Sequence, residues 1–545
     1  MRLLFIVVLA LALPSFAADE LKGEAKARLA NIDQFIDDWD IPDAKAELEE
    51  LKKIVPPDIE PVLYYEGRIA LEEGRYQESV DLLTKSGLHD KAGGWLRLAK
   101  DTYEVTKDDD KVESEHFIFF FPKGKDSVLA PYALQTLEKA RAALEQDLGY
   151  APPGKIRVEV LNDATELSKL STLTKEQIKT TGTIAICKFN KLMVTSPKAV
   201  LRGYDWLDTL NHEYVHLVVS QKSHNAVPIW LHEGIAKYLE SRWRGAVGLA
   251  MTPATLALLG RRVKADKLVP FEKMHPSIAM LPSAEDAATA FAEVFFAIDL
   301  IWKEDGNKGV QTIIEQLRKG ESDKHAVEVA TGKPFAQFEK NWLAHVKKQD
   351  FPKEFIPLSD QKVVLKEDAP GKTAEASKKS KEITFGDFQE VEETDARKMA
   401  HLGELFRERG RFKAAAEEYG HAYLSVGDKY ESVSNKYARA LVETGRFEEA
   451  EKVLLGSLRV HPGVASTNVQ LGRIRLRKKD WKGAKDAYLD ALAEDPFDPE
   501  VHLALTRAHK ELGEEKLEAQ TLKATVALTG LTEDKVKELM NAPIE

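Results

Sequence analysis

Four histidines and two glutamates fall between positions 212 and 233 of "TLNHEYVHLVVSQKSHNAVPIWLHEGIAKYLE" (209–240), a stretch that is otherwise apolar and helix-prone. His212 and His216 are four residues apart. On a helix over "WLDTLNHEYVHLVVS" that spacing projects both imidazoles from one face with Cβ atoms about 5–6 Å apart, close enough to hold one metal ion. Glu213 follows the first histidine and is poorly placed to join the pair as a ligand. It is placed instead to take a proton from a water polarised at the ion, as a general base. Catalytic zinc uses three protein ligands plus water, so a third donor is needed. Pro228 opens a second helix on which Glu233 can face the first, completing a two-histidine, one-glutamate set for one zinc per chain. The competing reading, two core helices that carry a few polar residues, gives Glu213 no task.

The neighbours are expected to contribute less. His232 is adjacent to Glu233 and is expected to point away, since a tetrahedral ion has no room for it. His224 lies on the connection between the helices, either lining a cleft or simply solvated. Glu240, seven after Glu233 on the same face, either hydrogen-bonds a ligand from behind or is an exposed charge. Cys187, the one cysteine, is read as a small buried hydrophobe in a strand.

These helices need a scaffold. "HFIFFF" (116–121) and "KIRVEVL" (155–161) read as strands around a helix from Ala130 to Gly149, and "GTIAICKFNKLMVTSP" (182–197) as a hairpin turning at Asn190-Lys191. A small β-sheet followed by helices is an α+β arrangement, and the histidine-bearing stretch follows it directly.

At this point the chain resembles the gluzincin metallopeptidases. The likeness is greatest to the bacterial peptidase MA-like branch, whose third-ligand helix reads Trp-Leu-x-Glu-Gly-x-Ala-x-Tyr, matched here by Trp230, Leu231, Glu233, Gly234, Ala236 and Tyr238. The resemblance covers about residues 112–350, including "FEKNWLAHV" (338–346). It implies a zincin-like domain in which His212, His216 and Glu233 bind zinc and Glu213 is the catalytic base. Where similar sequences carry a tyrosine to stabilise the oxyanion, this helix ("AATAFAEVFFAI") has Phe291, which cannot donate a hydrogen bond. Tyr204, Tyr238 and His275 are the substitutes considered.

Both ends of the chain read as helical repeats. Gly403, Ala415, Tyr419 and Ala422 recur as Ala438, Ala450, Leu454 and Ser457, and again as Gly472, Ala484, Tyr488 and Ala491, with "GRF" (410–412, 445–447) and "KDW" (479–481) at the turns. The pattern resembles the tetratricopeptide repeat, with a weaker capping copy around Leu503–Leu528. Near the N-terminus "LYYEGRIALEEGRYQESVDLLTKSG" has the same grammar, preceded by a degenerate unit over Asp33–Val55. "LKEDAPGKTAEASKKSKEITFGD" (365–387) is charged, poor in large apolar residues, and expected to be flexible. The organisation expected is a signal peptide at 1–17, an N-terminal repeat domain at 18–111, a metallopeptidase domain at 112–350, a linker at 351–393 and C-terminal repeats at 394–545.

Composition bounds the partners. The 545 residues carry 78 Lys and Arg against 89 Asp and Glu, net −11, without the basic excess that nucleic acid demands. Arg2 precedes an apolar run, Leu3–Leu13, too short to span a bilayer, followed by Pro14 and Ser15-Phe16-Ala17, the small-residue site of a signal peptide. No further segment is apolar for long enough to span, and a single cysteine allows no internal disulfide. The expectation is an exported bacterial zinc peptidase, periplasmic or secreted, acting as an endopeptidase or aminopeptidase on a protein or peptide substrate. Its repeats would take a protein partner or substrate on their concave faces. The rival expectation is a weakly or non-catalytic envelope scaffold that retains the zinc site.

Overall fold

The computed structural model describes residues 21–542 apart from 22, 89–93, 202, 246, 249–250, 276 and 353–387. The expected signal peptide and most of the expected linker lie outside the described residues.

Five helices come first: α1 (Glu24–Asp37), α2 (Ile41–Lys52), α3 (Glu60–Glu72), α4 (Tyr76–Ser86) and α5 (Trp95–Thr106). α1 packs on α2 and α3 on α4. A Cβ on Gly67 would lie 2.7 Å from Leu83 Cγ, so the glycine sets how closely α3 and α4 approach. The first pair begins at Glu24, earlier than the Asp33 expected from sequence, because Ala25, Leu29, Ile32 and Ile36 form one buried stripe.

A five-stranded sheet follows, with β1 (Asp110–Glu113), β2 (Phe117–Phe121), β3 (Ile156–Leu161), β4 (Ala185–Lys188) and β5 (Lys191–Thr195) in the order β1-β2-β3-β5-β4. The β2–β3 and β3–β5 pairs are parallel and the two outer pairs antiparallel. α6 (Ala130–Leu148) makes the crossover from β2 to β3, and α7 (Ala164–Leu170) and α8 (Lys175–Thr181) lie between β3 and β4. The hairpin turns on Phe189 and Asn190, both at positive φ (53° and 54°), one residue earlier than expected. Two successive left-handed residues make the tight turn that suits strand twist. Phe189 accepts that conformation with its ring buried edge-on against Trp95 of α5.

The two faces of the sheet differ. Phe117, Phe119, Val158, Val160, Leu192 and Val194 join the main core. The opposite face carries Arg157, Glu159 and Lys191, which meet the N-terminal helices. Buried Glu159 accepts from Lys191 Nζ at 2.7 Å and from Arg157 and the Tyr76 hydroxyl. Burial would raise the Glu159 carboxyl, but Lys191 and Arg157 outweigh it and bring it down to about 2.

Six helices complete the central region: α9 (Trp206–Ser223), α10 (Ile229–Leu239), α11 (Pro253–Lys264), α12 (Ala284–Arg318, broken at Gly306), α13 (Asp323–Thr331) and α14 (Phe335–Lys347). α12 is the buried spine against which α9, α10, α11, α13 and α14 all pack. Nine more form the C-terminal array: α15 (Thr394–Glu408), α16 (Phe412–Val426), α17 (Glu431–Glu443), α18 (Phe447–Val460), α19 (Ala465–Arg477), α20 (Trp481–Glu494), α21 (Pro499–Glu511), α22 (Glu515–Thr529) and α23 (Glu533–Asn541). Gly403 would place a Cβ 2.9 Å from the Tyr419 ring and Gly472 one 2.7 Å from Tyr488, the same tight crossing in two repeats. Two ends of the stretch expected to be a linker are packed: Phe351 against Gly260, and Phe388 and Val391 in the core of the first repeat. Among the described residues no helix is long and apolar enough to cross a membrane.

Candidate metal centre

Local chemistry fixes α9 at both ends. The Asp205 carboxylate accepts the Asp208 N–H at the start, and His224 in the left-handed region (φ 54°, ψ 49°) ends it. α9 is set against α10 by Asn211, whose amide donates to the carbonyls of Leu239 (3.0 Å) and Glu240 (2.6 Å). α10 is set against α12 by Gly234, where a Cβ would stand 2.8 Å from Val294 O. Its first turn is held by Trp230, whose indole donates to Asp323 Oδ2 at 2.8 Å.

These contacts converge three donor atoms. His212 Nε2 and His216 Nε2 are 3.1 Å apart, and Glu233 Oε2 is 3.4 Å from the first and 3.5 Å from the second. A tetrahedral ion with bonds of about 2.05 Å has ligand-to-ligand edges of about 3.3 Å, so this triangle fits zinc without rearrangement. Among the described residues it is the one group of three or more His, Cys, Asp or Glu that could hold a metal. The three side chains keep 15%, 11% and 22% of their surface exposed, which leaves the fourth position open to solvent or substrate.

The surroundings are charged. Burial would lower the His212 imidazole, but the Glu233 and Glu240 carboxylates reverse this and hold it up to about 10. Burial opposes ionisation of Glu233 as well, and the two histidines hold its carboxyl well below the usual range. A site that draws in positive charge so strongly suits a divalent cation. Glu240 Oε2 lies 3.0 Å from His212 Nδ1, and Lys237 in turn reaches Glu240 at 2.6 Å. His216 Nδ1 is buried and meets no partner among the described residues.

Glu213 lies within the field of all three donors, His216, His212 and Glu233, and also reaches β4 at the edge of the sheet, where the Cys187 amide donates to it. Burial pushes its carboxyl up, against the pull of His216 and His212, the direction that favours a general base. Cys187 is half-buried, not fully so. His232, expected to point away, is not among the converging donors: its ring stacks on His216 with centroids 4.5 Å apart at 8°, and its Nε2 is 3.1 Å from Ser220 Oγ. Burial and then His216 lower it to about 3, so it is neutral. His224 lies 4.0 Å from Asp38 of the connection after α1.

The three substitutes for an oxyanion donor separate. Tyr204 is buried beside the site, within the field of Glu213, but its hydroxyl donates to Thr195 O. Tyr238 faces the α12 spine, against Phe295, Trp302 and Asp299. His275 lines a separate cavity of about 280 Å³ with Trp230 and Phe271. Tyr238 and His275, considered as substitutes for the missing tyrosine, thus have their side chains among other groups. Asn211 and the Cys187 amide were not anticipated. An asparagine beside the first ligand was the available signal for the former, and a backbone donor leaves none.

The model of the family described as the Peptidase MA superfamily matches residues 136–348. No curated protein sequence matches the chain. Solved structures that resemble it include native leukotriene A4 hydrolase from Saccharomyces cerevisiae, at 11% identity and a TM-score of 0.29 over 80% of this chain and 67% of that one. The Cut9-Hcn1 hetero-tetramer of the APC/C matches at 10% identity and a TM-score of 0.25, over 96% of this chain and 98% of that one. Neither likeness is close enough to place a residue here. The family match covers the metal-site helices and the α12 spine, and leaves both helical ends and β1 and β2 outside it.

Proposed function

We propose that the protein is a zinc-dependent peptidase with its centre at His212, His216 and Glu233. The observation that carries this is the triangle of donors with edges of 3.1, 3.4 and 3.5 Å, with Glu213 next in sequence to the first donor and Glu240 behind it. A zinc ion held there would polarise a scissile carbonyl and acidify a water. Glu213 accepts the proton of that water as its oxygen bonds to the carbonyl carbon. It returns the proton to the amine nitrogen as the C–N bond breaks, so the carboxylate ends as it began. Glu240 holds the His212 ring by its Nδ1, and His232 holds the His216 ring by its face.

The stretch expected to be a signal peptide, residues 1–17, is the ground for proposing an exported protein, periplasmic or secreted. A cleft of about 1000 Å³ inside the C-terminal array, lined by Arg439, Glu443, Gln470, Arg473, Glu494 and Glu500, supports recruitment of a protein partner or substrate there. A second reading, an envelope scaffold with a retained zinc site, is favoured by one observation. Tyr238 and His275 are turned away and the Tyr204 hydroxyl is already engaged, so no side chain among these stands free to stabilise an oxyanion.

Metal analysis of purified variants tests the roles. His216→Ala and Glu233→Ala are expected to lose most of one bound zinc per chain, while Glu213→Gln keeps it. Equal loss in all three would overturn the assignment.

A further inference from the structure

A helix leaves its last four carbonyls without partners inside the helix. At the end of α20, Ala491 O is taken by the Asp495 N–H, while Leu492 O and Glu494 O point into the central region. The indole of Trp206, the first residue of α9 and 1% exposed, donates to Leu492 O at 3.1 Å. The Tyr204 N–H donates to Glu494 O at 3.3 Å. Between them and the sheet stands Gly203, at φ +77°, where a Cβ would lie 2.1 Å from Glu494 O. Only glycine lets the chain pass so close in that conformation. Leu492, Tyr488 and Ala491 of α20 belong to the same core as Tyr214 and Val215 of α9, with no break between array and central region.

We propose that the C-terminal end of α20 is a positioning element for the metal centre, clamping the first turn of the helix that carries His212, Glu213 and His216. This rests on the zinc reading above. Tyr204 extends the clamp inward, since its hydroxyl closes on Thr195 O at the end of β5 and lies in the field of Glu213. Glu494 extends it outward, since its carboxylate accepts the Ala465 N–H at the start of α19 and lines the concave cleft of the array. The array is thereby part of the hydrolytic unit, and the residue that lines its cleft is bonded to the loop that enters the active helix.

The test uses the full chain, metal-free, with hydrogen exchange of the amides of α6, α9, α15 and α16 and, separately, zinc affinity from competition with a chromophoric chelator. Trp206→Phe keeps an aromatic ring but removes the indole donor together with the volume of its second ring; Gly203→Ala pushes α20 away. Both are expected to speed exchange across α9 several-fold and to weaken zinc about tenfold, a loss of the size one buried hydrogen bond produces. Protection of α6 should stay as in the wild type. Gly403→Ala, which meets Tyr419 in the first repeat, far along the array, should loosen α15 and α16 and leave α9 and zinc affinity unchanged. Wild-type exchange and affinity in Trp206→Phe and Gly203→Ala would overturn the proposal. So would a loss of protection spread equally over α6 and α9, which would make the contact a support of the whole fold. If the wild type binds no zinc, the metal reading fails alone, and exchange across α9 still decides the clamp.

Discussion

At the scale of single residues, the donor cluster was legible because helical spacing is rigid: a step of four from His212 to His216, and of seven from Glu233 to Glu240, dictates shared faces whatever surrounds them. What spacing cannot tell is which way a loop or a neighbouring helix turns, and so sequence could offer Tyr238 and His275 as oxyanion donors although one meets Asp299 of α12 and the other lines a cavity with Trp230 and Phe271. Glu240→Ala is expected to weaken zinc about 10- to 100-fold by freeing the His212 ring, with competition against a chelator as the measure. Glu293 offers a separate check away from the ligands. It is fully buried on α12, its Oε1 accepts the Val269 N–H at 2.8 Å, and its Oε2 meets no partner among the described residues. Burial pushes its carboxyl from 4.5 up to about 8. The folded chain therefore holds a proton that the unfolded chain releases above pH 4.5, so stability from this group is full below 4.5 and falls as pH rises to 8. Glu293→Gln keeps the acceptor and removes the titration. Its melting temperature should gain on the wild type between pH 5 and pH 8; a difference that stays constant with pH would contradict the buried neutral acid.

At the scale of elements, β2, β3 and α6 fall within a residue of where apolar pattern puts them, since each buries a continuous face. β1 could not be read that way. All four of its residues, Asp110–Glu113, are exposed, and it is held by backbone pairing to β2 and by the Glu113–Lys155 ion pair at 2.8 Å, with no buried apolar face. The hairpin turn slips by one residue because Phe189 gains more from burial against Trp95 than it loses by adopting positive φ. The orientation of α10 rests on Gly234, whose place in the Trp-Leu-x-Glu-Gly pattern has a steric reason: the Val294 carbonyl and Ile298 occupy the space of a Cβ. Gly234→Ala is expected to destabilise the protein by about 1–3 kcal/mol in denaturant unfolding, and to weaken zinc by tilting Glu233 out of the triangle. Unchanged stability and affinity would mean that the two helices have more freedom than this contact allows.

At the scale of the whole molecule, the repeats announce themselves through small residues at fixed intervals, Gly403 and Gly472 above all, each under an aromatic ring of the next helix. Where the array docks was invisible, because Trp206 and Leu492 are nearly three hundred residues apart and neither lies in a motif that suggests the other. The linker expected from composition hides the same fact: a polar connection says nothing about what its two ends pack against. The central claim is hydrolysis in which Glu213 moves the proton, and it is tested most directly by the rate of peptide-bond cleavage in a mixed peptide library by zinc-loaded wild type and zinc-loaded Glu213→Gln. The account predicts cleavage by the wild type and a loss of about 10²- to 10⁴-fold in the variant at equal zinc content. Equal rates in the two, or no cleavage by a fully zinc-loaded wild type, would contradict it.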